Sequence, residues 1–435
     1  MQYVFMDNFR GFSQTLVPLD RATFLVGENS TGKSSFLSLA YLLSTPQFWF
    51  NQDFSAGGAV NLGGFRDIVS FTSEVKNRFT VGMLATRNKG GRDKSARECA
   101  FGLLTFRNEE GMPRLSRYVQ CIEGKLQKIV FLPKAIRFKS LRIDRPASSE
   151  EDIISLFLRI YQEDKNDRQG YKKIPNDLPP ESPLGFVLAV VQSLEDTRMS
   201  KQLVLRQDIP ITMMGMTWLA PIRTKPRRTY DGFKTNYTPE GDHTPHVLRK
   251  TLASREMAQT FTKLLRRFGQ SSGLFSRVDA HAFGKDPAAP FEVRIEISGG
   301  PLNISSVGYG VSQVLPVIVE MLTRPDHQWF AIQQPEVHLH PRAQAALGDI
   351  MHFLVKEKHH NYILETHSQY LVDRFRFRIK KARGPNGCRV VFFERTKSGN
   401  VARTLPIGTE GTYPKDQPSG FRAFFIDEEL RLLQI

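Results

Sequence analysis

The feature that most restricts this chain is the run Gly27-Glu28-Asn29-Ser30-Thr31-Gly32-Lys33-Ser34, a full G-x-x-x-x-G-K-S. An apolar, β-branched run at residues 23–26 leads into it. The stretch SFLSLAYLLS follows and meets no breaker before Pro46. Strand, loop and helix thus come in the order a phosphate-binding loop requires. The glycines let the backbone wrap a phosphate, and the loop amides and the helix amino terminus offer positive partial charge. Lys33 neutralises the β and γ oxygens, and Ser34 ligates magnesium. A glycine turn that only joins two elements is the bland alternative.

Composition bounds the rest. A chain of 435 residues has room for two or three domains, or for one core with a large insertion. Its 40% hydrophobic content excludes disorder, and Cys99, Cys121 and Cys388 form neither pairs nor metal-ligand spacings, so a reducing cytoplasm is the expected home. No apolar run approaches the roughly 18 residues of a membrane helix, and the opening MQYVFMDNFRGF lacks the apolar core of a signal peptide. The net charge of +16 favours a polyanionic partner without naming the residues that touch it.

Strands are expected at 3–6, 23–26, 291–297, 329–332, 362–364 and 390–394, with helical stretches between the later ones, so the fold class is α/β. A capping box from Ser148 to Glu151 should open a helix over 149–162. Pro175, Pro179, Pro180 and Pro183 mark a linker. Met257, Phe261, Leu264, Leu265 and Phe268 repeat at helical spacing, with Gly269 as the expected stop. No heptad register persists long enough for a coiled-coil arm.

Three further segments carry chemistry. In WFAIQQPEVHLHP, residues 329–341, an apolar strand ends in polar side chains of which only Glu336 is acidic. His338 and His340 there cap a helix, fill a core or, less readily, ligate zinc. In Glu365-Thr366-His367-Ser368, the histidine at a strand's end either reaches a phosphate or is structural. In SSVGYGVSQVLPVIVEML, residues 305–322, glycines open an apolar helix, with Pro316 read as close enough to its start to be tolerated. Its amino terminus with Ser312 is an anion site or simply a packed helix.

Together these segments resemble the ABC-type AAA ATPase heads of the SMC, RecF and OLD group. NFRGF at 8–12 looks like the opening of such heads, and GENSTGKSS resembles their Walker A motif. VGYGVSQ resembles the signature motif, QQPEVHLHP the Walker B and D-loop segment, and ETHS the switch-histidine segment. WLAPIRTKPRRTY and the tail segment GTYPKDQPSGFRAFFIDEEL, residues 411–430, look like a narrower set of stand-alone bacterial anti-phage ATPases, of which the Septu ATPase is one, with an uncharacterised carboxyl-terminal domain. The resemblance implies an ABC-type head split by a mixed α/β insertion: 1–88 and 291–435 would form the head, 89–210 the insertion or lid, and 211–290 a helical connection. It implies ATP and Mg2+ held by Gly27, Asn29, Ser30, Thr31, Gly32, Lys33, Ser34 and Ser35. Two heads would sandwich ATP as a homodimer or higher oligomer, with Gly310 and Ser312 touching the partner's nucleotide. A separately encoded effector, a nuclease, would read the state of the dimer.

Aligned on that pattern, Gln333 falls where an acid normally handles the magnesium shell, and Gln334 falls where the catalytic glutamate normally sits. An amide takes no proton from water, so slow hydrolysis is expected unless Glu336 or His367 substitutes. The residues after His367 contain no D-x-D pair of the kind a Toprim nuclease needs. The basic runs at 221–228 and 374–383 are candidate DNA contacts or solvated faces, with a partner-protein contact as a further reading of 374–383, and Arg223, Lys225, Arg227 and Arg228 could instead reach the nucleotide or the dimer interface. The other readings are a DNA-repair or chromosome-maintenance ATPase acting directly on DNA, and a nucleotide-gated scaffold with little hydrolysis.

Overall fold

A computed structural model describes every residue except 56–58, 89–96, 144–148, 166, 176–177, 180, 196–214, 235, 287, 298, 383–386 and 422–435. The chain opens with β1 (Gln2–Asp7), β2 (Thr15–Leu19) and β3 (Ala22–Gly27). Three helices follow: α1 (Lys33–Leu43), α2 (Pro46–Asn51) and α3 (Phe65–Ile68). A run of antiparallel strands comes next, comprising β4 (Arg78–Asn88), β5 (Arg97–Glu109), β6 (Met112–Ile122), β7 (Lys125–Leu132) and β8 (Ala135–Arg142). Beyond it lie α4 (Glu150–Asp164), β9 (Lys172–Lys173) and α5 (Leu184–Glu195). Two compact units result, interleaved along the chain rather than consecutive: Met1–Leu19, Ser30–Gly215 and Glu394–Ala402 form one, and the remainder forms the other.

The first unit is built on an antiparallel sheet of order β2-β1-β4-β5-β6-β7-β8-β9. Its tight turns are written in the sequence. Glu110-Gly111 and Glu123-Gly124 both adopt positive φ, the conformation of the two-residue turns that match the twist of hairpin strands. One face packs Phe5, Leu84, Phe101, Leu103 and Val119 against Ile153, Phe157, Ile160 and Tyr161 of α4. The other gathers Phe54, Phe79 and Phe106, with ring centroids 5.0–5.7 Å apart. The cap of α4 lies one residue from its expected place. Ser149 accepts from the Asp152 amide at 3.1 Å while Asp152 accepts from the Ser149 amide at 3.0 Å; Ser148 lies outside the described residues.

The second unit continues through β10 (Thr217–Leu219), α6 (Thr244–Ala253), α7 (Ala258–Ser272), β11 (Arg277–Ala282), β12 (Phe291–Ile297) and β13 (Gly300–Asn303). It then runs through α8 (Tyr309–Thr323), β14 (Trp329–Gln333), α9 (Pro341–Glu357), β15 (Asn361–Glu365), α10 (Gln369–Ala382) and β16 (Cys388–Thr396), with β17 (Gly399–Ile407) last. The main sheet has order β10-β14-β15-β3-β16-β17, and β10, β14, β15, β3 and β16 pair in parallel. β11, β12 and β13 form a small antiparallel sheet. The strands expected at 23–26, 291–297, 329–332, 362–364 and 390–394 are all present.

Two helix readings are corrected. Gly269 does not stop α7: the helix runs on to Gly273, whose φ of 76° ends it, and Gly269 is glycine because a Cβ there would lie 2.3 Å from the Phe275 ring. Pro316 is interior to α8 rather than near its start: the helix runs Tyr309–Thr323, which puts Pro316 at its middle, two turns in. Proline costs a helix interior its hydrogen bond and crowds the preceding turn. Here the burial of α8 from Val311 to Leu322 compensates.

Candidate functional site

The phosphate-binding loop is shaped by backbone that tolerates no side chain. Gly27 ends β3 at φ 143°, where a Cβ would fall 2.1 Å from the Phe393 carbonyl oxygen. Gly32, at φ 96°, caps α1, and a Cβ there would meet the Phe12 ring at 2.5 Å. Phe12 thus explains why NFRGF precedes this loop: its ring occupies the volume beside Gly32. Arg10 of the same motif donates to Ser35 Oγ at 3.2 Å and to the Leu62 and Asp67 carbonyls. Arg395 donates to the Ser30 carbonyl at 2.6 Å. Lys33 is buried at the first turn of α1, Thr31 is buried, and Asn29, Ser30 and Ser34 are exposed. No acidic side chain occupies that first turn, so the positive end of the helix is uncompensated from within.

In the second unit, the carboxyl ends of β14 and β15 lie side by side, and Gln333 is in register with Glu365. Gln333 Nε2 donates to Glu365 Oε2 at 3.3 Å, and the Gln334 backbone amide donates to the Glu365 carbonyl at 2.8 Å. Gln334 itself sits at φ 41°, a left-handed conformation that turns the chain sharply off the strand. Glu336 is 8% exposed, and its Oε1 accepts from the His367 amide at 2.6 Å. Burial holds its carboxyl above the ordinary range despite that bond. The His367 imidazole is exposed. Ser368 Oγ accepts from the Leu371 amide at 3.0 Å at the start of α10, and the Thr366 amide donates to the Leu25 carbonyl of β3 at 3.1 Å.

Arg223 is 3% exposed, deep beneath this segment. Its Nη2 donates to the Gln333 carbonyl at 3.1 Å, and its backbone amide donates to Gln313 Oε1 at 3.3 Å. Burial lowers its pKa to about 10, opposed by the charge of Glu336. Gln313 in α8 and Gln333 in β14 are therefore joined through one guanidinium-bearing residue. Ser312 is buried and its hydroxyl donates to the Tyr309 carbonyl at 3.0 Å, whereas Gly308 and Tyr309 are exposed at the amino terminus of α8. His338 and His340 are exposed, and the described residues contain no group of three or more His, Cys, Asp or Glu placed to hold a metal.

In the basic run 374–383 three arginines are paired, against two aspartates, while Lys380 and Lys381 are exposed. Arg374 and Arg378 both pair with Asp349, at 3.2 and 2.6 Å; Arg376 pairs with Asp373 at 2.7 Å and lies over the Tyr413 ring. In the run 221–228, Arg227 reaches Asp242 at 3.7 Å, and Lys225 and Arg228 are exposed. Arg10 and Glu365 lie in segments that the sequence singles out, but their partners, like that of Arg395, come from segments distant along the chain and are not legible there.

Residues 294–373 match the family model described as "AAA domain, putative AbiEii toxin, Type IV TA system". No curated protein matches the chain. Among solved structures, the Smc head domain of Pyrococcus furiosus with an extended coiled coil, bound to the C-terminal domain of ScpA, is similar at 11% identity and TM-score 0.40, covering 99% of this chain and 100% of that one. The SMC head domain of Thermotoga maritima is similar at 10% identity and TM-score 0.39, over 93% and 98%. The recombination mediator RecF is similar at 9% identity and TM-score 0.31, over 92% and 97%.

Proposed function

We propose that the chain binds ATP with magnesium at the loop joining β3 to α1, hydrolyses it slowly, and uses the bound nucleotide to hold two copies of itself together. The carrying observation is the loop geometry: Gly27 and Gly32 in conformations and spaces closed to side chains, and Lys33 buried at the start of a helix without an acidic first turn. That arrangement supports a polyphosphate lying on amides and the helix terminus. Magnesium takes oxygen donors. The Ser34 hydroxyl fits, as does the side-chain amide oxygen of Gln333, whose side-chain nitrogen is engaged with Glu365. The ion would offset charge on the β and γ oxygens.

Slow turnover follows from β14. Neither Gln333 nor Gln334 can accept a proton from water, and general-base help is worth about 10²–10⁴ in rate. Glu336 is tied to the His367 amide. Exposure of Gly308 and Tyr309 supports a contact from the amino terminus of α8 to a second copy's nucleotide. Following the resemblance, a separately encoded nuclease effector reads the assembled state in anti-phage defence.

The test compares the native chain with Lys33→Ala for ATP binding, ATP turnover and mass in solution with and without ATP. The native chain should bind ATP and double its mass, and the variant should do neither. Unchanged binding in the variant would remove the site, and a mass indifferent to ATP would remove the switch.

A further inference from the structure

We infer that Glu365 supplies the negative charge that the magnesium ion of a bound nucleotide requires, with the Gln333 amide holding that carboxylate in position. The inference rests on the ATP-binding reading above and adds a residue to it.

Three observations lead there. Gln333 ends β14 at the place where charge is needed, yet an amide brings none, and a hard divalent cation favours carboxylate oxygen. Among the described residues from 329 to 341, Glu336 is the only acid, and it is 8% exposed with one oxygen on the His367 amide, beside the buried Arg223. Glu365 is the other acid at the adjoining ends of β14 and β15 among the described residues. It ends β15, is 3% exposed, and lies opposite Gln333 in the register.

Strand order then places it. β15 lies between β14 and β3, and Glu365 pairs with Leu25, two residues before the glycine that opens the loop. The carboxylate is therefore one strand nearer to the loop than Gln333. The 3.3 Å bond from Gln333 Nε2 to Glu365 Oε2 explains the amide. A carboxylate at 333 would face a like charge across that distance, whereas a glutamine donates to it and fixes its orientation. The pair thus divides one task, Glu365 giving the charge and Gln333 the orientation.

The experiment measures ATP affinity by calorimetry in excess magnesium and in excess EDTA for the native chain, Glu365→Gln, and the exchanged double variant Gln333→Glu/Glu365→Gln. The native chain should gain affinity from magnesium. Glu365→Gln should lose about tenfold or more of that gain, while its affinity in EDTA does not fall below that of the native chain, because a like charge facing the phosphates is gone; binding in EDTA also reports that the variant is folded. The exchanged variant should recover most of the gain, since it returns one carboxylate and one amide to the same pair of strand ends. Manganese in place of magnesium gives a second readout: its resonance should broaden on the native chain with ATP and less on Glu365→Gln. A full magnesium gain in Glu365→Gln overturns the inference and leaves the ATP reading standing. If Glu365→Gln does not fold, a folded exchanged variant without the gain also overturns it. Absence of ATP binding by the native chain overturns both.

Discussion

At Arg223, a guanidinium is taken out of water to join the Gln333 carbonyl, while the same residue's backbone is clasped by Gln313. Removing the guanidinium leaves the Gln333 carbonyl without that donor, a loss that typically costs about 1–3 kcal/mol. Arg223→Met should therefore lower the melting temperature by several degrees and weaken ATP-driven association, read by calorimetry and by mass in solution. The sequence shows this residue only as one of four basic side chains in PIRTKPRR, where it looks no different from Lys225 or Arg228. Burial separates them. Gln334 carries a second prediction: Gln334→Glu should raise the ATP turnover rate by about 10²-fold or more, measured as phosphate release. An unchanged rate would show that the glutamine is not what restrains hydrolysis.

Elements show where periodic patterns suffice. The apolar spacing in α7 located the helix, but its end was misplaced because a glycine inside a helix and a glycine after one look alike in sequence. The ring of Phe275 against Gly269 is a tertiary fact. Gly269→Ala should destabilise the chain by about 1–3 kcal/mol, the usual cost of overpacking, where helix propensity alone predicts a gain. The cap of α4 is simpler: Ser149→Ala should cost about 1 kcal/mol, checked by chemical denaturation. A pH dependence belongs to α8. Burial pushes the Glu320 carboxyl up, but the 2.6 Å contact with His243 and the charge of Arg324 outweigh it and leave the pKa below the ordinary value. Its stabilising contribution is therefore complete above the unfolded carboxyl value of about 4.3 and is lost as pH falls through the lower folded value. Glu320→Gln should melt well below the native chain at neutral pH, and the gap should narrow in acid.

For the whole molecule, the net charge of +16 drew attention to nucleic acid, yet the arginines of α10 mostly face acids of their own unit. DNA affinity measured against salt should accordingly fall with a shallow slope, corresponding to few neutralised phosphates. A steep slope would favour direct action on DNA. The antiparallel meander of the first unit was not read from the sequence, although Glu110-Gly111 and Glu123-Gly124 between apolar runs are a legible turn signal. The parallel strands were easier, since fully buried strands read as continuous apolar runs.

The sequence by itself determined the phosphate-binding loop, the α/β class and the parallel strands of the second unit. These depend on local backbone freedom and on apolar periodicity, which neighbouring residues carry. Only the tertiary structure decided which acid lies beside Gln333, which arginine is buried and which arginines are already paired. Those outcomes depend on strand order and on contacts such as Glu365 with Gln333, or Arg223 with Gln333 and Gln313, between segments 32 to 110 residues apart. No local pattern encodes distances of that kind.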